Sequence, residues 1–370
     1  MTAESPALLP LPPGRPPKWV SVGNPFLNAP LDYALIGGLF GIAVGVIAYA
    51  SGFRFDTDRF WLVMLATSYA HFAASTVRLY SRKGAVSRWP FITLGVPVLT
   101  IAATSALLFV GDPLTWSIIQ GFYLTWSTYH YAAQTFGLSV MYAYRSGCAL
   151  APRERRLVRA ACLLPFVYGV LGARSGASLL VPQSFWTDAT VTLVRDGART
   201  ALLPLLLLAP AIVFLYIRQS SGRVLPLISL VMMYGNAIFW TFFLDRDAFA
   251  WAALAHALQY LVIVTVFHVK DEMSDPKNTH GRTYHVVGFY GLCLILGWLL
   301  FDGWPRIYAW ISLALDNSET ERRIAWVINI HHFLVDGYIW KLRNDKKNLD
   351  VVVGASRPLE AGAAGGSSAG

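Results

Sequence analysis

Long apolar runs separated by short polar stretches dominate the pattern along this chain. A run of about 20 apolar residues is long enough for a helix to cross the hydrocarbon core of a bilayer. Such runs predict about ten membrane-spanning helices, at residues 33–52, 60–80, 91–110, 114–144, 157–173, 201–217, 224–244, 248–268, 285–301 and 320–342. The expected fold is therefore all-α, a polytopic bundle of transmembrane helices.

The two ends of the chain differ from this apolar middle. Residues 1–30 are rich in proline and small residues, and residues 345–370 are rich in glycine, alanine and serine. Segments of such composition bury too little apolar surface to become ordered. We therefore expect a disordered cytoplasmic leader at 1–30, a helical bundle at 31–344 and a disordered tail at 345–370.

Composition agrees with a membrane protein and excludes several other classes. Hydrophobic residues make up 55% of the chain and charged residues 14%, with a net charge of +9. A cationic excess in a membrane protein reflects topology rather than nucleic-acid binding, so membrane lipids are the expected surroundings and no nucleic acid is expected. Cys148, Cys162 and Cys293 form no C-x-x-C pair, which argues against a disulfide framework and a thiolate metal site.

The basic residues are concentrated in alternate loops. They follow the second, fourth, sixth, eighth and tenth predicted helices, for example at Arg82, Arg153, Arg218, Lys277 and Lys346. Cytoplasmic loops carry the excess of lysine and arginine in membrane proteins. This distribution predicts that both termini are cytoplasmic, and the expected location is a bacterial inner membrane.

Five histidines interrupt the apolar helices: His71, His130, His256, His331 and His332. An imidazole in hydrocarbon needs partners for its polar nitrogens, and ionisable residues at membrane depth usually mark a functional site. The four helices concerned run in the same direction. At 1.5 Å per residue their histidines lie roughly 14–21 Å from the cytoplasmic boundary. One layer near mid-membrane, holding a metal or haem, is the predicted arrangement.

A polar residue follows four of these histidines by one helical turn, on the same helix face. The pairs are His71 with Ser75, His130 with Gln134, His256 with Gln259, and His332 with Asp336. Because a metal-bound imidazole donates its free N–H to an acceptor, Asp336 is predicted to orient a ring or to bind the metal itself. Gln134 and Gln259 could orient rings, bind weakly or hold an oxygen species. Tyr129, Tyr131 and Tyr260 flank the layer and could supply protons.

The adjacent His331 and His332 cannot both face one point, because successive helical residues diverge by about 100°. His332, in register with Asp336, is the expected ligand. His331 could reach the site from its rim, pair with another group or bind a second metal. The remaining histidines, His268, His280 and His285, are expected at the membrane interface.

An imidazole set with at most one carboxylate suits iron, copper or zinc rather than magnesium or calcium. Three or four histidines around an open position fit non-haem iron chemistry with molecular oxygen. A site at mid-membrane depth would meet a lipophilic small molecule arriving from the bilayer. The sequence therefore favours a membrane-bound metal-dependent oxygenase, and it leaves protein partners open.

The chain resembles the bacterial Brp/Blh-type carotene dioxygenases. The resemblance rests on membrane helices that each bring a histidine inward, on Tyr-Ala-His-Phe at residues 69–72, and on the pair His130 and Gln134. Ala73 stands where the family's His-Phe-Gly motif has glycine, and Gln134 stands where the family has a second histidine. The resemblance implies an iron held by His71, His130, His256 and His332, and a carotenoid-like or other lipid substrate.

Two other classes of function stay open at this point. Two of the histidines could be axial ligands of a haem, or the adjacent pair could bind copper, as in a membrane redox protein. Alternatively, the layer of histidine, glutamine and aspartate could belong to a transporter or a proton relay. An absorbance spectrum separates haem from non-haem iron, and a stably bound metal argues against a simple transporter.

Overall fold

The computed structural model describes residues 19–53, 60–82, 84–242, 248–311 and 317–339, and over these ranges the chain is helical without any β-strand. Ten helices in these ranges have 12 residues or more. They are α1 Leu39–Ala50, α2 Ala70–Ser81, α3 Val96–Val110, α4 Pro113–Arg145, α5 Pro152–Val170, α6 Ala189–Ser221, α7 Leu227–Phe242, α8 Ala248–Met273, α9 Arg282–Trp298 and α10 Asn317–Ile339. The all-helical fold predicted from the sequence is confirmed.

Each predicted span coincides with one of these helices, although several begin earlier than predicted. Helix α6 starts at Ala189 rather than near residue 201, because the Asp188 carboxylate accepts hydrogen bonds from the backbone N–H groups of Thr190 and Val191. Helix α4 starts after Asp112, which accepts from the backbone N–H of Thr115 at 2.9 Å. That bond lowers the pKa of the Asp112 carboxyl. The pattern of apolar residues does not reveal such polar first turns, which are stabilised by the capping residue.

Length and composition identify fewer membrane crossings than the sequence pattern predicts. Within the described chain, four helical stretches are long and apolar enough to cross a membrane: Phe91–Val110, Ala189–Ser221, Ala250–Met273 and Arg282–Ile311. A fifth would be the pair Ala29–Ile36 and Leu39–Ala50, which is bent by 50°. The chain is thus of the membrane-protein type, with four or five crossings on this measure.

Residues ahead of α1 belong to the folded body. The Asn24 backbone N–H donates to the Ser146 hydroxyl at 3.0 Å, and the Leu227 N–H donates to the Ser21 carbonyl at 2.7 Å. Residues 19–28, which fall within the predicted leader, thus lie against the helices. The rest of the predicted leader, the tail at 345–370 and the span ends beyond Ile339 lie outside the described residues.

Helices α2, α4, α8 and α10 form the inner part of the bundle. Helix α8 packs against α2, α4, α7 and α9, and α10 packs against both α2 and α4. An ion pair joins the ends of α2 and α8, with Nη2 of the buried Arg78 2.9 Å from Oδ2 of the half-buried Asp271. These contacts bring together the four helices that carry the predicted histidine layer.

Candidate metal centre

Four histidines meet in the interior of the bundle, one from each inner helix. They are His71 from α2, His130 from α4, His256 from α8 and His332 from α10. One ring nitrogen of each lies within 4.8 Å of the corresponding nitrogen of every other. All four side chains are buried. The structure thus brings together the four residues that the sequence analysis selected as metal ligands.

The ring nitrogens of this cluster are in the state expected of metal ligands. Both nitrogens of His71 and His256, and Nε2 of His130 and His332, are buried without a hydrogen-bond partner among the described residues. Unpaired buried polar atoms are rare, because each one has lost its hydrogen bonds to water. Four nitrogens bound tetrahedrally at about 2.1 Å from an ion lie about 3.4 Å apart, so a contraction of the cluster would let one ion bind one nitrogen of each histidine, with the second nitrogen of His71 and of His256 left over. The donor set therefore fits a transition metal.

A π-helical turn precedes the first of these histidines and is held by a close helix crossing. The turn covers Leu65–Tyr69, directly before α2. Gly297 of α9 lies against it, and a Cβ atom at position 297 would be 2.7 Å from the carbonyl carbon and oxygen of Tyr69. Only glycine permits this approach, which fixes the backbone two residues before His71. Single π-turns within helices often accompany functional sites.

Two of the polar companions contact a histidine of the neighbouring helix, rather than the one on their own helix. The Ser75 hydroxyl lies 3.0 Å from Nδ1 of His332, and Asp336 Oδ2 lies 3.8 Å from Nε2 of His130. A partner on Nδ1 leaves Nε2 of His332 for a metal, which is the usual arrangement for a bound imidazole. The contacts of Ser75 and Asp336 thus link neighbouring helices around the cluster. Residue spacing along a single helix cannot reveal such contacts.

The two glutamines, each one helical turn after a clustered histidine, form a hydrogen-bonded pair. The Gln134 side-chain N–H₂ donates to Gln259 Oε1 at 3.3 Å and to the carbonyl of His256 at 3.2 Å. Gly38, with a φ of +83°, lies so close that a Cβ there would be 3.0 Å from Nε2 of Gln259. The Oε1 atom of Gln134 is buried without a partner in the described chain and is available to a further donor.

Aromatic rings enclose the cluster. Tyr131 and Tyr260 lie with their ring centroids 4.5 Å from those of His256 and His71, respectively. Tyr129, which the sequence also placed beside the layer, instead packs against Trp126 and Phe166 at 5.5 and 5.7 Å. Its position on another face of α4 gives its predicted catalytic role no support. The tyrosines in ring contact with the histidines are Tyr131 and Tyr260.

His331 lies outside the four-histidine cluster and borders an apolar cavity beside it. The cavity has a volume of about 310 Å³, and both His331 and His332 line it. Among the described residues, Nε2 of His331 has no hydrogen-bond partner. Of the alternatives raised for this residue, a position at the rim of the site matches the geometry. The cavity gives a molecule of modest size a place next to the centre.

The remaining histidines make contacts away from the centre. The His268 ring stacks on Phe289 with centroids 4.4 Å apart, and Nε2 of His285 lies 2.8 Å from Asn278 Oδ1. These contacts explain both residues without a metal. They serve as natural controls for experiments on the cluster.

No model of a known family, no curated protein and no solved structure matches the chain. The fold and the site themselves therefore define its class: an all-helical protein of the membrane type, with a buried cluster of four histidines able to hold a metal ion.

Proposed function

We propose that the protein is an integral-membrane metalloenzyme, a non-haem iron oxygenase that acts on a lipophilic substrate. The observation that carries the proposal is the convergence of His71, His130, His256 and His332, with six of their eight ring nitrogens unpaired. Imidazole ligands suit iron, copper and zinc, and an open histidine site is typical of iron enzymes that use oxygen. The count of four histidines also supports the proposed likeness to the Brp/Blh-type dioxygenases.

The cavity beside His332 supports a lipophilic substrate. Its wall includes Phe72, Leu296, Leu300 and Ile328. Ligand pockets of about 300–1,000 Å³ with mainly apolar walls are usual for small organic molecules. A molecule entering from the bilayer would lie against the histidine centre with its apolar surface covered.

The chain's own residues have distinct roles in this proposal. Bound iron would supply the one-electron chemistry that activates oxygen. Ser75 holds the His332 ring through Nδ1, and Asp336 lies near enough to His130 to bias its orientation. The paired amides of Gln134 and Gln259 offer a free carbonyl oxygen to a polar group at the centre. The surrounding aromatic rings exclude water.

A haem is a poorer fit to the same residues. The centroids of His71 and His332 are 4.5 Å apart, and those of His130 and His332 are 5.2 Å apart. A porphyrin between any two of these rings would occupy the space of the other two. Copper and zinc satisfy the same ligand set, so metal analysis decides among the three ions.

The membrane topology is part of the proposal. About ten crossings with both termini in the cytoplasm would place the basic loops on one side of an inner bacterial membrane. In support, the segment ahead of α1 contacts three of these basic residues at one end of the bundle. Arg145 donates to the carbonyl of Pro25, Arg218 lies 5.0 Å from the Trp19 ring, and Lys270 lies 5.6 Å from the Phe26 ring.

Metal analysis with an absorbance spectrum, on detergent-purified protein, tests the function. We expect iron close to one equivalent and no Soret band, and oxygen uptake when carotenoids or other lipids are screened. A Soret band would replace the proposal by a haem protein. Failure to retain metal even after reconstitution would favour a histidine-lined transporter or proton relay.

A further inference from the structure

A second, larger cavity lies away from the histidine centre. It is a groove of about 770 Å³ between α8 and α9, closed at its sides by the turn before α2 and by the segment ahead of α1. Its length is lined by apolar side chains such as Leu258, Val262, Val266 and Val286. None of the four clustered histidines lines it, so it is separate from the proposed active site.

One end of this groove is positively charged. Lys270 and Arg282 both line it there, and no acidic side chain in the described parts of the chain lies within salt-bridge distance of either. Lys270 also experiences the positive charges of Arg145 and Arg282. Asp32 is near enough to Lys270 to act on it electrostatically, but its carboxylate already accepts hydrogen bonds from the Phe26 N–H and the Tyr142 hydroxyl.

The groove is open to its surroundings next to its charged end, where Met273 and Val286 lie one helical turn from Lys270 and Arg282, respectively. Met273 is 41% exposed and Val286 is 40% exposed, and both belong to its wall. In a membrane protein, such a surface faces acyl chains. A molecule that diffuses laterally in the bilayer can therefore enter the groove without crossing water.

We infer that this groove binds an anionic phospholipid of the surrounding membrane. Its acyl chains would lie along α8 and α9, and its phosphate would contact Lys270 and Arg282. Basic pockets between membrane helices recognise anionic headgroups, and each lysine or arginine near the membrane surface adds about 1 kcal/mol of attraction. A zwitterionic lipid such as phosphatidylcholine would fill the apolar length equally well, but its choline cation would offset the phosphate charge that attracts Lys270 and Arg282.

The binding can be measured on the full chain by native mass spectrometry. Purified protein is offered equal amounts of phosphatidylglycerol and phosphatidylcholine with identical acyl chains, and the retained lipid is counted. We expect phosphatidylglycerol to be preferred. The double substitution Lys270→Gln and Arg282→Gln should reduce this preference about 10–30-fold, the loss expected from two such contacts.

The matched control is the double substitution Arg156→Gln and Arg159→Gln on α5, which removes the same charge from exposed positions. It should leave the preference unchanged. Equal retention of the two lipids by the wild type, or an equal effect of both double substitutions, would overturn the inference. So would full displacement of phosphatidylglycerol by an equimolar fatty acid or by glycerol phosphate alone, since each would identify a different ligand.

Metal content and elution profile, recorded on the same samples, report whether each variant is folded. If the Lys270 and Arg282 variant fails this check, Val262→Phe provides a second test by filling the apolar length. It should lower the retention of both lipids and preserve their ratio. Unchanged retention in that variant would count against the groove.

Discussion

Helices α8 and α6 are both apolar enough to cross a membrane, yet they occupy opposite environments. In the most apolar stretch of α8, 61% of the residues are buried inside the protein, whereas the corresponding figure for α6 is 22%. Helix α8 carries His256 and the Asp271 ion pair, and α6 presents a surface of leucine and isoleucine. Hydropathy alone therefore does not separate a helix that builds the site from one that faces lipid.

The contrast extends to the other inner helices. Helices α2, α4 and α10 each contribute a histidine to the cluster, but the length-and-hydropathy criterion selects none of them. Their polar residues lower the mean hydropathy, and the histidines among them lie buried in the interior, where several of their ring nitrogens have no hydrogen-bond partner among the described residues. Polar groups at membrane depth are tolerated where they face protein, and there they usually serve function.

The sharpest way to test this division is to remove histidines from the centre and from elsewhere. We expect His256→Ala and His332→Ala each to abolish metal retention, because each removes one of the four imidazoles and leaves a cavity where that ring held the cluster together. His268→Ala and His285→Ala should retain metal, since these rings lie outside the cluster. Metal content of the four purified variants is the measurement, and equal content in all of them would refute the centre.

The next largest effect is expected at the carboxylate near the cluster. Asp336→Asn should weaken metal binding or activity about 10–100-fold, the usual consequence of losing a group that supports a ligand. Asp302→Asn is a suitable control, because Asp302 pairs with Arg306 at the surface of the bundle, 2.8 Å away. Titration with a competing chelator gives both affinities, and wild-type behaviour of the Asp336 variant would assign that residue a structural role only.

An intermediate loss of stability is expected where the outer helix α9 crosses the turn before the inner helix α2. Gly297→Ala should destabilise the fold by about 1–3 kcal/mol, because the added methyl group overpacks the backbone before His71. Gly291→Ala on the same helix meets no atom within 4 Å and should change stability little. Thermal unfolding in detergent compares the two. Metal affinity should fall in the Gly297 variant only. Equal metal affinity of the two variants would show that this helix crossing does not position the metal centre.

The smallest effect is expected on the face of α6 that is exposed. Leu208 is 55% exposed and Leu206 is 2% exposed, although they lie two residues apart. Leu208→Ala should change the free energy of unfolding by less than about 0.5 kcal/mol, while Leu206→Ala should cost about 2–5 kcal/mol. Similar losses in the two variants would mean that the outer surface of α6 is covered by protein.

Much of the fold and of the centre could be predicted from the sequence. Apolar runs located the helices, since burial in lipid or protein demands them. The four histidines were recognisable because imidazoles are costly at that depth. The rotation of one helix against the next was not predictable, because it depends on contacts such as Gly297 against Tyr69. For the same reason, spacing could not reveal that Ser75 supports His332, or that Tyr129 faces away.

The ion pair of Arg78 and Asp271 also has a consequence for biosynthesis. The two residues are 193 positions apart. At a synthesis rate of 5–20 residues per second, the carboxylate follows the guanidinium by about 10–40 s. During this interval Arg78 lacks that counter-charge. The helix that carries His71 can therefore settle only after α8 has been made, and a chain that stops before Asp271 is expected to be a substrate for quality-control proteolysis.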